Sequence, residues 1–401
     1  MKKIMVAALA AAFLTPIAMA DVTIYGSIRA DVEYDSFGDL NGKSPAVSSQ
    51  TRIVDSSSRI GFKGTDKWDN GWTGIWQLES GIGAAAASAD SNGTKPKGFG
   101  GGAWGGRNSF IGFVAPDFGT FRAGNFDSTY KNVLTSSKLS PLFDDFLDST
   151  DYKGKNATFS QLATRLNDNL AYESATWGGF QIRANVGLDG SPQASGSAPI
   201  YNIAALYNIG GFNASLAYQY AKDRNFAQVS GISVADTTGT TNATTGATTY
   251  NIADGAKVEG YQLAAGYTFD FGLGLGAGWE HISNEEASSY VATAATHAKS
   301  TSWNNYVVTG NYWFNPKFEL QGLYSRSNKV YGVDDLTGQQ YSLSGVYYLS
   351  KQTRWYTSAV GLKNDGKTTG QQFSFQNNSV SLVAKNGQTS YTVLTGLRSD
   401  F

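Results

Sequence analysis

Three carboxylates, Asp144, Asp145 and Asp148, share a short run with Leu142, Phe143, Phe146 and Leu147, so acidic and greasy side chains are interleaved there. The chemistry open to such a set is electrostatic. If Arg29, Arg59, Arg107 and Arg122 stood across a narrow aqueous gap from these carboxylates, with Glu79 on the acidic side, the gap would carry a transverse field. A polar solute aligns its dipole in such a field, whereas an apolar one sheds water without compensation. For any single arginine the ordinary alternative is a solvated side chain or a local salt bridge; as a set they argue for a shared field. Covalent chemistry has less to work with. Only His281 and His297 exist, both in or beside a loop-like stretch and neither with a clear serine–carboxylate setting. The pair is too isolated for a metal site, and no glycine-rich stretch has the strand–helix context of a phosphate loop. No catalysis, metal or cofactor is expected.

Side chains on parallel charged walls need a scaffold that fixes them by parity, and period-two alternation recurs along the chain in segments of roughly ten residues. In the first, Val22, Ile24, Ile28, Val32 and Tyr34 take one face and Thr23, Ser27, Arg29, Asp31 and Glu33 the other. Phe212, Leu216 and Tyr220, then Leu273, Leu275 and Trp279, then Phe318, Leu320 and Tyr324, then Tyr341, Leu343 and Tyr347 repeat the pattern. The last segment, 391–401, places Tyr391, Val393, Thr395, Leu397 and Phe401 on one parity. A terminal strand greasy on one side, with no chain left to cover it, fits a membrane barrel: one face meets lipid, the other a watery lumen, and Phe401 sits in the interfacial girdle as an assembly signal. A final strand of an ordinary β-sandwich is the alternative.

The connections alternate as well. Tight turns are predicted at 66–71, 115–119, 176–179, 208–211, 269–272, 315–317 and 350–353, and longer polar stretches such as 83–105, 191–199, 236–251 and 363–388 lie between them. Counting strands between turns gives about sixteen, an even number as single-chain bacterial barrels have. The expectation is an all-β, 16-stranded antiparallel transmembrane β-barrel. Phe62, Trp68, Trp72, Phe118, Tyr312, Phe314 and Phe318 are candidates for the girdle on the short-turn side. One long connection, 126–167, is too apolar for an external loop, with Val133, Leu134, Leu139 and Leu142 among its residues. It is predicted to fold into the lumen as a constriction, its greasy side on the inner wall and its carboxylates toward the water path.

Residues 1–20 read as a cleaved secretory signal: Lys2 and Lys3, an apolar run, and Ala18-Met19-Ala20 before Asp21. The barrel would then be 21–401. It has no run of about 18 apolar residues, so no helical span is expected, and a mean hydropathy of −0.28 does not argue against a barrel, in which one strand residue in two faces lipid. There is no cysteine, so closure of a hydrogen-bonded cylinder must take the place of disulfides. Without Lys2 and Lys3 the 31 basic residues fall to 29 against 32 acidic, which leaves no basic footprint for nucleic acid.

Short stretches carry a family likeness: Val22-Thr23-Ile24-Tyr25-Gly26, Ser58-Arg59-Ile60-Gly61-Phe62-Lys63-Gly64, Gln77-Leu78-Glu79-Ser80-Gly81, Gly106-Arg107-Asn108-Ser109-Phe110, Asp117-Phe118-Gly119-Thr120, Asn167-Asp168-Asn169 and the terminal Phe401. In this order the chain resembles the general porins of Gram-negative bacteria, most closely the trimeric betaproteobacterial, neisserial type. The resemblance implies a homotrimer in the outer membrane, whose third external loop forms an eyelet that small hydrophilic solutes and ions cross by passive diffusion. It also implies that Arg59, Glu79 and Arg107 line that eyelet. Where the family usually has Gly-Arg-Gln after the fifth strand, this chain has Gly124-Asn125-Phe126, so a basic group is missing there and Arg122 is the available substitute. A substrate-selective channel and a barrel enzyme such as a phospholipase are the alternatives to a general pore.

Overall fold

A computed structural model of the chain describes residues 21–36, 49–83, 104–136, 158–188, 198–224, 255–285, 300–330, 337–365 and 389–401, and the shorter pieces 226, 229, 240–241, 248–249, 374–377 and 380–383. The signal at 1–20, His297 and the carboxylates Asp144, Asp145 and Asp148 lie outside the described residues. The strands in chain order are β1 (Asp21–Ser36), β2 (Ser49–Val54), β3 (Arg59–Lys67), β4 (Thr73–Gly81), β5 (Ser109–Ala115), β6 (Gly119–Asp127), β7 (Arg165–Ser174), β8 (Phe180–Gly187), β9 (Ile200–Ile209) and β10 (Phe212–Lys222). After the two-residue strands β11 (Thr240–Thr241) and β12 (Thr248–Thr249) come β13 (Lys257–Thr268), β14 (Leu273–Glu285), β15 (Ser300–Asn315), β16 (Phe318–Asn328), β17 (Gly338–Tyr348) and β18 (Thr353–Asn364). A short hairpin, β19 (Ser374–Asn377) with β20 (Val380–Val383), precedes the last strand, β21 (Thr389–Asp400). One helix, α1 (Thr129–Ser136), follows β6.

Seventeen of these strands hydrogen-bond into one sheet. Both β2 and β3 pair with β1, β2 along its second half and β3 along its first, so they are two pieces of a single wall position. The cylinder is therefore sixteen strands round, and every neighbouring pair is antiparallel. It closes where β21 pairs with β1, from Ser27 opposite Asp400 to Ser36 opposite Tyr391. Gly26 and Phe401 complete the seam by exchanging two backbone hydrogen bonds of 2.9 and 3.0 Å. A β-carbon on Gly26 would sit 2.6 Å from the Phe401 ring, so the absent side chain is what lets the terminal aromatic lie against the first strand.

The parity expected from the sequence holds round the wall. On β1, Val22, Ile24, Ile28, Val32 and Tyr34 are exposed while Ser27, Arg29, Asp31, Glu33 and Asp35 are buried. Large apolar side chains outside and polar ones inside invert the pattern of a protein in water and match a wall that meets lipid. The seven tight turns fall where the alternation breaks, all at one edge, and the long connections leave from the other. At the short-turn edge an aromatic row crosses β4 to β7: Trp72 stacks on Phe113 at 5.1 Å, Phe113 on Phe121 at 5.1 Å, and Phe121 lies 4.8 Å from Tyr172. Tyr312, Phe314 and Phe318 extend the girdle at β15–β16. Phe62 is a correction. Its ring lies 6.3 Å from Trp104, in the long connection between β4 and β5, and so belongs to the opposite half of the wall.

Half of the Phe401 ring surface is covered and the rest faces outward. Replacing it with serine removes about 1–2 kcal/mol of apolar contact at the closing seam, on the scale of a partly buried ring. The expected result is a lower yield of folded barrel, read as the heat-modifiable band on an unboiled gel. Wild-type yield from that variant would count against the seam as the role of this residue.

Candidate functional site

The connection after β6 turns into the barrel at once. Ser128 caps α1: its hydroxyl accepts from the Lys131 amide at 3.3 Å, and the Thr129 amide is taken by Asn185 on β8 at 2.7 Å. The helix lays Tyr130, Val133 and Leu134 against β8, β9 and β10. The chain returns through Thr158, Phe159, Ser160, Gln161 and Leu162, all buried, and Phe159 and Leu162 join the same apolar cluster with Ala217, Val258 and Trp303 of the inner wall. A β-carbon on Gly260 of β13 would run into Leu162 and crowd the Tyr130 hydroxyl, so that glycine makes room for the inward chain.

One carboxylate ties both ends of this connection to the wall. Glu280 of β14 is fully buried and accepts from the Tyr130 hydroxyl at 2.8 Å, the Gln161 backbone amide at 3.1 Å and the Asn305 side chain at 2.8 Å. Burial and the adjacent carboxylate push the pKa of the Tyr130 hydroxyl well up, so it remains a donor. Gln161 is held further by Trp303 at 2.9 Å and Ser327 at 3.1 Å, and Thr158 meets Ser325 at 2.6 Å. The parity of Glu280, a lone carboxylate between Trp279 and His281, was visible in the sequence; its partners, at separations of 119 and 150 residues, were not.

The inward connection rests on the β8–β16 side, and the charges gather on the β3–β8 side. Glu79 accepts from Arg107 Nε at 2.7 Å and from the Tyr25 hydroxyl at 3.0 Å. Its carboxylate thus stands among the arginines and not across from them, the first place where the geometry differs from the two-wall picture. Arg59 lies on the lumen parity of β3, opposite Ser27 and Gly81. Arg122 pairs with Glu173, which also lies 3.7 Å from Arg183, and its guanidinium covers the Phe110 and Phe126 rings at 5.1 and 5.0 Å. Asp127 holds Arg165 at 3.0 Å and Lys131 at 3.2 Å. The sequence reading had missed Arg165, Arg183, Glu173 and Asp127, although strand parity alone would have placed Arg183 and Glu173 inside.

Arg29 is separate from this group. It is buried in the β1 wall in register with Arg398, its amide held by Ser58 at 2.9 Å. Beside it Asp31 accepts from Tyr356 at 2.8 Å, and Arg52 lies 3.3 Å from Glu33 and 3.0 Å from Asp35. His281 is a second correction: it lies within β14, on the outward face, and not in a loop.

Similarity to known proteins agrees with this architecture. A family model described as Gram-negative porin matches residues 6–367. The major outer membrane protein P.IB of Neisseria gonorrhoeae is 32% identical over 220 residues, covering 54% of this chain and 56% of that protein. The serogroup B Neisseria meningitidis protein of the same name is 34% identical over 213 residues, covering 53% and 57%. The matched stretch thus spans little more than half the length of these relatives. Among solved structures, an anion-selective porin from Comamonas acidovorans superposes with a TM-score of 0.68 at 19% identity, covering 95% of this chain and all of that one. The trimer form of OmpT, an outer membrane protein of Vibrio cholerae, gives 0.63 at 15% identity, covering 95% and 99%. At such identities the likeness is one of fold.

The Glu280 anchor has a measurable weight. Tyr130→Phe removes one hydrogen bond to a buried carboxylate, a loss of about 1.5–3 kcal/mol, and Glu280→Ala strands three donors and costs more. Thermal unfolding followed by circular dichroism should rank wild type above Y130F and Y130F above E280A. Equal melting curves would show that the inward chain is held by its apolar side alone.

Proposed function

The chain belongs to the Gram-negative porin family, and from that premise we propose that it is a passive outer-membrane channel through which small hydrophilic solutes and ions diffuse down their gradients. The observation that carries this reading is the division of the lumen. The connection between β6 and β7 is seated against β8–β16 by Glu280 and the apolar cluster, and the water path is left to the charged β3–β8 side. We propose further that 126–167 forms the constriction, with Asp144, Asp145 and Asp148 as its acidic side and Arg59, Arg107 and Arg122 as its basic one. Passage involves no bond making and no cofactor: the wall supplies only a field and a set of exchangeable hydrogen bonds.

On the β3–β8 side the carboxylates Glu79, Asp127 and Glu173 stand among a larger set of cations, Arg59, Lys63, Arg107, Arg122, Lys131, Arg165 and Arg183. That surplus attracts anions, in keeping with the anion selectivity named for the Comamonas structure, and the constriction carboxylates oppose it. The sign of selectivity is the balance of the two sets. Three barrels are proposed to assemble as a homotrimer, the form in which the Vibrio structure is described, with outer-membrane lipid round its rim.

Single-channel recording in a planar bilayer under a salt gradient tests the proposal. Large, long-lived openings that step in threes are expected. Replacing Asp144, Asp145 and Asp148 together by asparagine should move the reversal potential toward anions, and Arg122→Gln with Arg183→Gln toward cations, each by on the order of a few-fold in permeability ratio. A reversal potential unmoved by either set would remove those residues from the constriction, and no conductance from folded protein would remove the open pore.

A further inference from the structure

The outward face of β14 carries an arrangement that a pore does not use. His281 Nδ1 lies 3.0 Å from Asn304 Oδ1 on β15, and His281 Nε2 lies 3.4 Å from the Ser283 hydroxyl. Trp279 fixes the direction of this chain. Its indole N–H can only donate, so the Asn304 atom it meets at 3.0 Å must be the amide oxygen. That oxygen also faces Nδ1, which must then carry the imidazole proton. Nε2 is left with its lone pair toward Ser283. A serine hydroxyl, an imidazole base in the correct tautomer and an amide that orients it are the parts of an activated oxygen nucleophile, and here each position follows from strand register: His281 opposite Asn304, Ser283 two residues on along the same face. The 3.4 Å approach is of the length such contacts have before substrate arrives.

The surroundings indicate the substrate. Toward the barrel middle the same face is greasy: Leu275 and Val308 are exposed. Level with the histidine stands the aromatic belt of Tyr261, Trp279 and Tyr306. One step beyond Ser283, at the long-connection edge, charge begins: Lys257 lies 3.2 Å from Glu285 and 3.8 Å from Glu259, the residue in register with Ser283. Acyl chains, aromatic belt and polar headgroup are met in that order across a membrane interface, and the serine falls between belt and headgroup, where the ester carbonyls of a glycerolipid lie.

We propose that Ser283, His281 and Asn304 form a lipid-facing hydrolytic site for the acyl esters of membrane glycerolipids. Ser283 Oγ bonds to the ester carbonyl carbon as its proton passes to His281 Nε2. The tetrahedral oxyanion collapses, the acyl C–O bond breaks, and His281 returns the proton to the departing lyso-lipid alkoxide. Water then attacks the acyl-serine by the same route, releasing a fatty acid and restoring the hydroxyl. Ser283 and His281 are the catalytic residues and Asn304 is a positioning residue.

The test uses the full-length protein in phosphatidylethanolamine–phosphatidylglycerol vesicles, with fatty acid measured by mass spectrometry and an alkyl fluorophosphonate as a probe of the nucleophile. Each variant is first checked for the heat-modifiable mobility of a folded barrel. Expected are fatty acid release by wild type, a fall of about a hundredfold or more in S283A and H281A, and a phosphonyl adduct on Ser283 that H281A abolishes. Asn304→Asp, which keeps an oxygen acceptor, should retain release within about tenfold, whereas Asn304→Leu should lose it and shift the pH profile of what remains. Release equal in wild type and S283A, no release from folded wild type, or an adduct elsewhere in the chain would overturn the proposal.

Discussion

A peptide group without a partner in hydrocarbon costs several kcal/mol, so a sheet in a membrane can have no edge. That constraint sets the rest of this molecule. It obliges the first and last strands to pair, and the chain meets it with ten registered residue pairs between β1 and β21 and two further bonds from Phe401 to Gly26. Closure in turn fixes which way every side chain points. Once the seam register is set, each strand inherits its parity from its neighbour, and a slip of one residue anywhere would turn the arginines of β6 and β8 toward lipid. The segregation of charge inside and aromatic rings outside is therefore a property of the seam as much as of the individual strands.

Closure leaves a lumen, and the second constraint is how to seat a long connection inside it. The inward connection is apolar where it touches β8–β16 and reaches the wall through Glu280, a carboxylate that both described ends of the segment share. Burying a carboxylate is unfavourable unless its lone pairs are satisfied, and here the donors include the segment itself. The cost of the buried charge is thus offset only when the connection is in place. This couples the position of the inward connection to the integrity of the wall behind it: an inward chain that swings away leaves a stranded acceptor as well as an exposed greasy face.

The sequence made the barrel legible because a strand in a membrane wall carries its environment in alternate letters. Val22, Ile24, Ile28 and Val32 against Ser27, Arg29, Asp31 and Glu33 leave little freedom, and the turns at Phe269 and Asn315 follow from where such runs break. The candidate site was legible only in part. The inner-face placement of Arg59 and Glu79 was legible, but the relation of the arginines to Glu79 was not, because parity says which face a residue takes and not whether a carboxylate on that face pairs with the arginine beside it or looks across a gap. Arg107 and Glu79 are 28 residues apart and meet at 2.7 Å. Glu280 was missed for a related reason: a lone glutamate on an inward parity looks like solvent-facing wall until the segment it anchors is folded against it.

Parity also explains how one strand can serve two compartments. Along β14 the inward residues Gly278, Glu280 and Ile282 accommodate and hold the inward connection, while the residues between them, Trp279, His281 and Ser283, meet lipid. The two sets are separated by one backbone thickness and share every peptide plane. The outer set is kept apart from the lumen by the same ladder that lets β15 present Asn305 inward to Glu280 and Asn304 outward to His281. Neighbouring asparagines thus satisfy opposite faces, each fixing a titratable side chain in place. A wall built this way can carry a site on its lipid face without altering the one in its lumen. What couples them is the register of β14 against β15, since a shift that removed Asn305 from Glu280 would also remove Asn304 from His281.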